Sequence, residues 1–371
     1  MSIYEERLNR ILAAYKGEDV DRIPVVFLGT ACLAVHCGVT IADYIADMEL
    51  NWKVNLKGVQ DLGDLDGVHA AIYSSYTLPG SWLSQVITPG VELGENELWQ
   101  IHEFENMQQE EYDDLLEMGF GPWYMKFLEE RCGNPNAMLA QTGFFANIPP
   151  AYGAFAEAGY PVINIGGCGG PIEMFCGARS LVPFMTEDLI DIPEKVEAAF
   201  KSAQEFNVGV LQQQLQMPGA IGIWVGGWRG TPSMLSPEWF DRFAWPYMRE
   251  LIEVVLESGV IPIMHLDSDW IRGMPYFLRD FPDHSVILHF DGQTDIFKAK
   301  AIIGDRQCIM GDVPATMLAF GSREDVDAYC KRLIYEIGPR SFILCSGCEA
   351  PYNSKFENLQ TMVESVHKYG I

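Results

Sequence analysis

From about residue 160 onward, short apolar runs bounded by Gly, Pro or Asp alternate with longer amphipathic stretches, and this rhythm constrains the fold more than any other feature. The runs PVINIGG (161–167), AIGIWVGG (220–227), VIPIMHLD (260–267), SVILHFDG (285–292), QCIMGDV (307–313) and SFILCSG (341–347) read as buried parallel strands. Helical grammar fills the gaps. Ser236 caps a helix with Pro237 at its first position and Gly259 as its stop, and Ser322 and Gly338 repeat the pattern. Helices also follow the first and last of these strands. Upstream, RIPVVFLG (22–29) and LDGVHAAI (65–72) add two strand signals. Crossover-length connections imply a parallel sheet with right-handed crossovers, and eight strands close it. The expected architecture is therefore α/β, a single (β/α)8 TIM barrel over residues 1–371. Its N-terminal helical and β elaborations are the first helix, the segment 92–107 and a helical stretch over 110–133. A doubly wound open sheet is the alternative, but no G-x-G-x-x-G follows the first strand and no P-loop occurs.

Charge narrows the partners. Against 25 Lys+Arg stand 51 Asp+Glu, a formal net charge of −26, which repels nucleic-acid phosphates and anionic lipid. No run of about 18 apolar residues exists, and MSIYEERLNRILAAYKGEDV lacks a signal-peptide pattern, so no membrane association and a cytoplasmic location are expected. Nine cysteines, an odd and scattered set, read as reduced thiols rather than a disulfide framework. Any of them near other ligands is then a metal or catalytic candidate.

In such a barrel the chemistry lies at the C-terminal ends of the strands. His265 and Asp267 sit at i and i+2 at the end of the fifth strand and project to one side. Cys348 follows the eighth strand, across the mouth. One imidazole, one carboxylate and one thiolate suit Zn²⁺, which in catalytic sites keeps three protein ligands and an open position. The bland alternative is a buried histidine bonded to a carboxylate beside an inert cysteine. Trp228 and Arg229, in GGWRGT, are candidates for stacking on an aromatic substrate or pairing with its carboxylate. His289, Asp291 and Gln293 end the sixth strand and Asp312 the seventh, where each could hydrogen-bond substrate or orient a ligand. The glycines around Cys168 in GGCGGPIEMFCG leave space for close approach of a bulky ligand, or simply form a tight turn. His36, the methionines and most aromatics read as core and pocket filling.

Three segments carry a family resemblance: GGWRGTPSMLSPEWFDRFAWPYMRELIEVVLESGVIPIMHLDSDW, IMGDVPATMLAFGSREDV and FILCSGCEAPYNSKFENLQTM. They resemble the uroporphyrinogen decarboxylase superfamily, within it the corrinoid-dependent methyltransferase branch. In thiol-methylating members the resemblance implies zinc held by a His-x-Cys pair and a later cysteine. Here His265 and Cys348 match, and Asp267 stands in place of the first cysteine. A carboxylate in place of a thiolate leaves a harder zinc that prefers oxygen and can polarise an ether. This resembles the first methyltransferase of anaerobic aryl-ether O-demethylase systems, which implies methyl transfer from a small methoxylated aromatic to the corrinoid cobalt of a partner protein. No D-x-H-x-x-G corrinoid motif is present, so the cobalamin is expected on that partner, docked over the mouth with a less acidic face. An Asp280, Cys308, Cys348 spacing, also similar to zinc proposals for such enzymes, competes for the ligand assignment, but Asp280 and Cys308 should face the opposite end of the barrel.

Two other enzyme readings and one non-enzyme reading stand beside this. A methyltransferase passing the methyl from corrinoid to a thiol or tetrahydrofolate is the nearest. A uroporphyrinogen-type decarboxylase is disfavoured because no arginine occurs between Arg22 and Arg131 to grip substrate carboxylates. A corrinoid-protein binding module without chemistry is the third. The oligomeric state is not legible in the sequence.

Overall fold

A computed structural model describes residues 1–132 and 137–370, without the side chains of 137–141. All eight expected strands are present: β1 Val26–Phe27, β2 Gly67–Val68, β3 Asn164–Gly169, β4 Gly222–Gly227, β5 Ile261–Leu266, β6 Ile287–Phe290, β7 Cys308–Val313 and β8 Phe342–Ser346. Strands β3 to β8 form a continuous parallel sheet in chain order, and β1 pairs in parallel with β2. Two single-residue bridges join these pieces into a ring, Val25 to Leu344 and Val68 to Val162. Each bridge carries a backbone hydrogen bond of 2.9 Å, from Leu344 N–H to the Pro24 carbonyl and from Ile163 N–H to the Val68 carbonyl. The result is the closed (β/α)8 TIM barrel that the sequence predicts.

Strand parity fills the interior. Val26, Ile163, Ile261, Ile263, Ile287, Cys308, Met310, Ile343 and Cys345 form one buried cluster inside the barrel. Because side chains alternate, the inward face of Ile261 and Ile263 passes next to His265, and that of Ile287 passes to His289. The N-terminal helix Ile3–Tyr15 supplies Ile11 and Ala14 to the same cluster. It begins with a reciprocal capping box between Ser2 and Glu5.

The elaborations follow local chain chemistry. The helical stretch expected over 110–133 divides at Gly119, whose φ of +78° ends Glu111–Met118 and starts Phe120–Phe127; its last residue, Gly133, lies outside the described residues. The helix opened by Ser236 is interrupted by a wide turn over Phe240–Ala244 and restarts as Trp245–Glu257, because Pro246 cannot donate to the preceding turn. Within 92–107, Gln100–His102 pairs antiparallel with Gln85–Ile87. No helix among the described residues is long and apolar enough to cross a membrane.

Asp66 ties the N-terminal helix to the start of the barrel. Its fully buried carboxylate accepts from Arg10 Nη1 at 2.5 Å, from Arg22 Nη1 and Nη2 at 2.5 and 3.0 Å, and from Val25 N–H at 2.9 Å. Asp66→Ala would strip Val25 N–H of its acceptor and Arg22 of its close anion, leaving Arg22 only Asp64 at 3.8 Å and Arg10 only its pairs with Asp21 and Glu6. We expect a loss of roughly 3–5 kcal/mol in denaturant unfolding; a loss below about 1 kcal/mol would show that the clasp is not needed for closure.

Candidate metal centre

The mouth of the barrel collects three potential ligands from distant parts of the chain. His265 Nε2 lies 3.1 Å from Asp267 Oδ1 and 3.7 Å from Cys348 Sγ, and the three ligand atoms fall within 4.8 Å of one another. His265 is the penultimate residue of β5 and is 2% exposed, whereas Asp267 and Cys348 are partly open to solvent. The loops fix both partners. The Asp267 carbonyl accepts from the Trp270 indole at 2.8 Å, and its N–H donates to the Gly227 carbonyl. Before Cys348, Gly347 packs against the Asp291 backbone, where a Cβ would come within 2.7 Å of the carbonyl oxygen. After it, Glu349 accepts hydrogen bonds from the Thr30 backbone and hydroxyl, lacing the end of β8 to the end of β1.

The ring orientation of His265 is set from behind. Its Nδ1 lies 2.9 Å from His289 Nδ1, and His289 Nε2 lies 2.8 Å from the Ser346 carbonyl oxygen. A carbonyl can only accept, so His289 carries its proton on Nε2 and offers a lone pair at Nδ1. His265 must then donate from Nδ1, which turns the bare Nε2 lone pair of the neutral ring toward Asp267 and Cys348. Three ligand atoms thus face one point, where the Cys348 S–H is the one proton the neutral side chains could share, and a cation in its place would satisfy all three. Burial opposes charge on His265, but hydrogen bonds to Asp267 and Cys348 outweigh it and push its pKa up to about 9. Burial and the neighbouring His265 drive His289 down to about 3, in keeping with its neutral role.

This donor set fits zinc. The 3.1 and 3.7 Å separations are close to the edges of a tetrahedron with metal–ligand bonds of about 2.0–2.3 Å. Further acidic groups surround it. The Asp291 carboxylate accepts from Ser268 and Gln293 N–H, and burial together with nearby Asp267 raises its pKa. The competing pattern does not assemble: Asp280 accepts from the Trp245 indole at 2.7 Å and pairs with Arg279, while Cys308 is buried among the aliphatic residues of the barrel interior.

The remaining candidates divide. Trp228 lies against the backbone of Gly226 and Gly169 and stacks on Trp82 at 5.0 Å, so glycines that could admit a foreign ring make room for the protein's own tryptophan. Arg229 lines a cavity of about 350 Å³ with Trp82, Trp99 and Leu98, but its guanidinium is paired with Glu103 at 2.8 Å. Asp312 faces the helix Arg323–Glu336, where Tyr329 donates to it at 2.8 Å; burial raises its pKa to about 7. Gln293 is exposed.

Sequence reasoning passed over Trp224, His69 and Glu173. Trp224 is the inward residue of β4 two places before Gly226, and its indole touches His265 at 4.3 Å and His69 at 4.0 Å. Glu173, 1% exposed, accepts the backbone N–H groups of Trp228, Arg229 and Gly230 and so holds the loop that carries Trp228. Strand-end position alone could have flagged His69.

The fold and site define a (β/α)8-barrel protein with His265, Asp267 and Cys348, a candidate ligand set, gathered at the C-terminal mouth. Residues 154–369 match the family described as uroporphyrinogen decarboxylase (URO-D), and the chain belongs to that family. It is 24% identical over 175 residues to a methylcobamide:CoM methyltransferase MtbA of Methanosarcina mazei, covering 47% of this chain and 49% of that protein. It is 21% identical over 214 residues to a uroporphyrinogen decarboxylase of Myxococcus xanthus, covering 54% and 59%. The chain thus spans about half the length of the curated relatives it matches. A solved methyltransferase from Methanosarcina mazei superposes with a TM-score of 0.70 at 20% identity over 98% of both chains, a likeness of fold.

His289→Leu tests the tautomer argument. It removes the acceptor for His265 Nδ1–H without touching a ligand, and should weaken zinc binding by about 10- to 100-fold in chelator competition. Unchanged affinity would mean that His265 is oriented by something else.

Proposed function

We propose that this chain is a zinc-dependent methyltransferase that moves the methyl group of a small methoxylated aromatic to the cobalt of a corrinoid carried by a partner protein. The carrying observation is the convergence of His265, Asp267 and Cys348 on one point at the mouth. His265, Asp267 and Cys348 would hold the ion, with His289 and the Ser346 carbonyl keeping the His265 lone pair aimed at it. Zinc bound there would act as a Lewis acid toward an ether oxygen, its single thiolate leaving it harder than a two-thiolate site.

The chain's own residues then hold the reactants. Trp224 offers an aromatic wall beside His265, and Trp228, clamped by Glu173, narrows the opening above it. With Arg229 neutralised by Glu103, a neutral ring suits the site better than a benzoate. The corrinoid must approach from the open side, where Asp267 and Cys348 remain accessible, and the net charge of −26 suits a less acidic docking face. A second reading, methyl transfer from methylcorrinoid to a thiol, draws support from the similarity to Methanosarcina methylcobamide:CoM methyltransferases. Asp267 argues against it, because holding a reactive thiolate is better served by a second sulfur ligand.

The test incubates zinc-loaded protein with reduced corrinoid protein and a panel of methoxyarenes, following conversion of the Co(I) absorbance to that of methyl-Co(III). Conversion with at least one ether is expected, lost by at least about 100-fold on chelation or in His265→Ala. Full activity in zinc-free protein, or turnover only with a thiol or folate acceptor, would overturn the proposal.

A further inference from the structure

Three imidazoles gather around Trp224, and only two of them are accounted for. His265 and His289 are hydrogen-bonded to each other and onward to Ser346. His69 follows β2, its ring standing edge-on to Trp224 at 4.0 Å. It is 7% exposed, and its Nε2 is buried with no hydrogen-bond partner. A buried polar atom without a partner is costly and calls for an explanation, of which a bond made to a bound ligand is one. Gly167 of β3, paired with Trp224 of β4, adds no side chain on that side of the indole, where a Cβ would lie 3.9 Å from that of Trp224. His69 and His265 therefore flank one indole, which is itself partly exposed.

We propose that His69 is a further substrate-contacting residue: its free Nε2 hydrogen-bonds a polar substituent on the aromatic ring, distinct from the oxygen that carries the methyl group. The inference rests on the aryl-ether reading and adds a selection rule to it. Methoxyarenes bearing a hydroxyl bind well, whereas equally large rings bearing a methyl group leave Nε2 unpaired. A hydroxyl both donates and accepts, so either tautomer of His69 is served. The discrimination comes from the unmet bond in the wrong complex and amounts to about tenfold or more in affinity.

The experiment is calorimetric titration of zinc-loaded protein with the three methoxyphenols and the matching methoxytoluenes, on wild type, His69→Gln and His69→Leu. Zinc content and circular dichroism are checked for each variant. Wild type should prefer at least one methoxyphenol over its methoxytoluene by about tenfold or more. His69→Leu should abolish the preference, mainly by binding the methoxytoluene better, and His69→Gln should keep part of it. An equal preference in wild type and His69→Leu, or no binding of either series to wild type, overturns the role of His69. A preference that depends on His69 without any methyl transfer to corrinoid would keep the contact and sink the aryl-ether reaction instead.

Discussion

Closure of the barrel at its two shortest strands is the constraint on which the rest depends. Strands β1 and β2 contribute two residues each and meet their outer neighbours through single bridges. Sheet hydrogen bonding alone is thin there. The seam is reinforced from both ends: by the Asp66 clasp on Arg10, Arg22 and Val25, and by Glu349 accepting from Thr30. The second reinforcement sits next to Cys348. Closing the ring and presenting Cys348 are accordingly one structural act, because the loop after β8 reaches His265 only if β8 is held against β1.

Closure also explains how a histidine and a cysteine 83 positions apart become neighbours. In a parallel barrel every strand ends at the same rim, so His265 on β5 and Cys348 beyond β8 need only inward parity and short loops to converge. Parity further places His289 beside His265 in register, and Ser346 at the end of β8 offers its carbonyl behind them. The site's electrostatics follow from that arrangement. A neutral, buried His289 fixes which nitrogen of His265 is bare, and the bare nitrogen faces a carboxylate and a thiol.

Much of this was legible in the sequence because it depends on local signals. Apolar runs ending in His-x-Asp and in CSGC marked the strand ends, and the rim rule turned them into a ligand set. Other features depend on which neighbours lie across the barrel. Arg229 looked free for a substrate carboxylate until Glu103, 126 positions away, came to pair with it. Asp312 ends its strand as expected, yet its side chain meets Tyr329 on the helical layer. Trp224 and His69 carry no motif. Only the register of glycine-rich β3 between β2 and β4 brings their rings into contact. The glycines around Cys168 announced space but not its occupant, and Trp228 takes part of it.

The central claim is a zinc ion held by one sulfur, one imidazole and one carboxylate. Zinc K-edge X-ray absorption on the metal-loaded protein tests it most directly. The account predicts one sulfur at about 2.3 Å with the remaining ligands nitrogen or oxygen at about 2.0–2.2 Å, and loss of the sulfur shell in Cys348→Ser. Two sulfurs in the first shell, or a spectrum unchanged by that substitution, would contradict it.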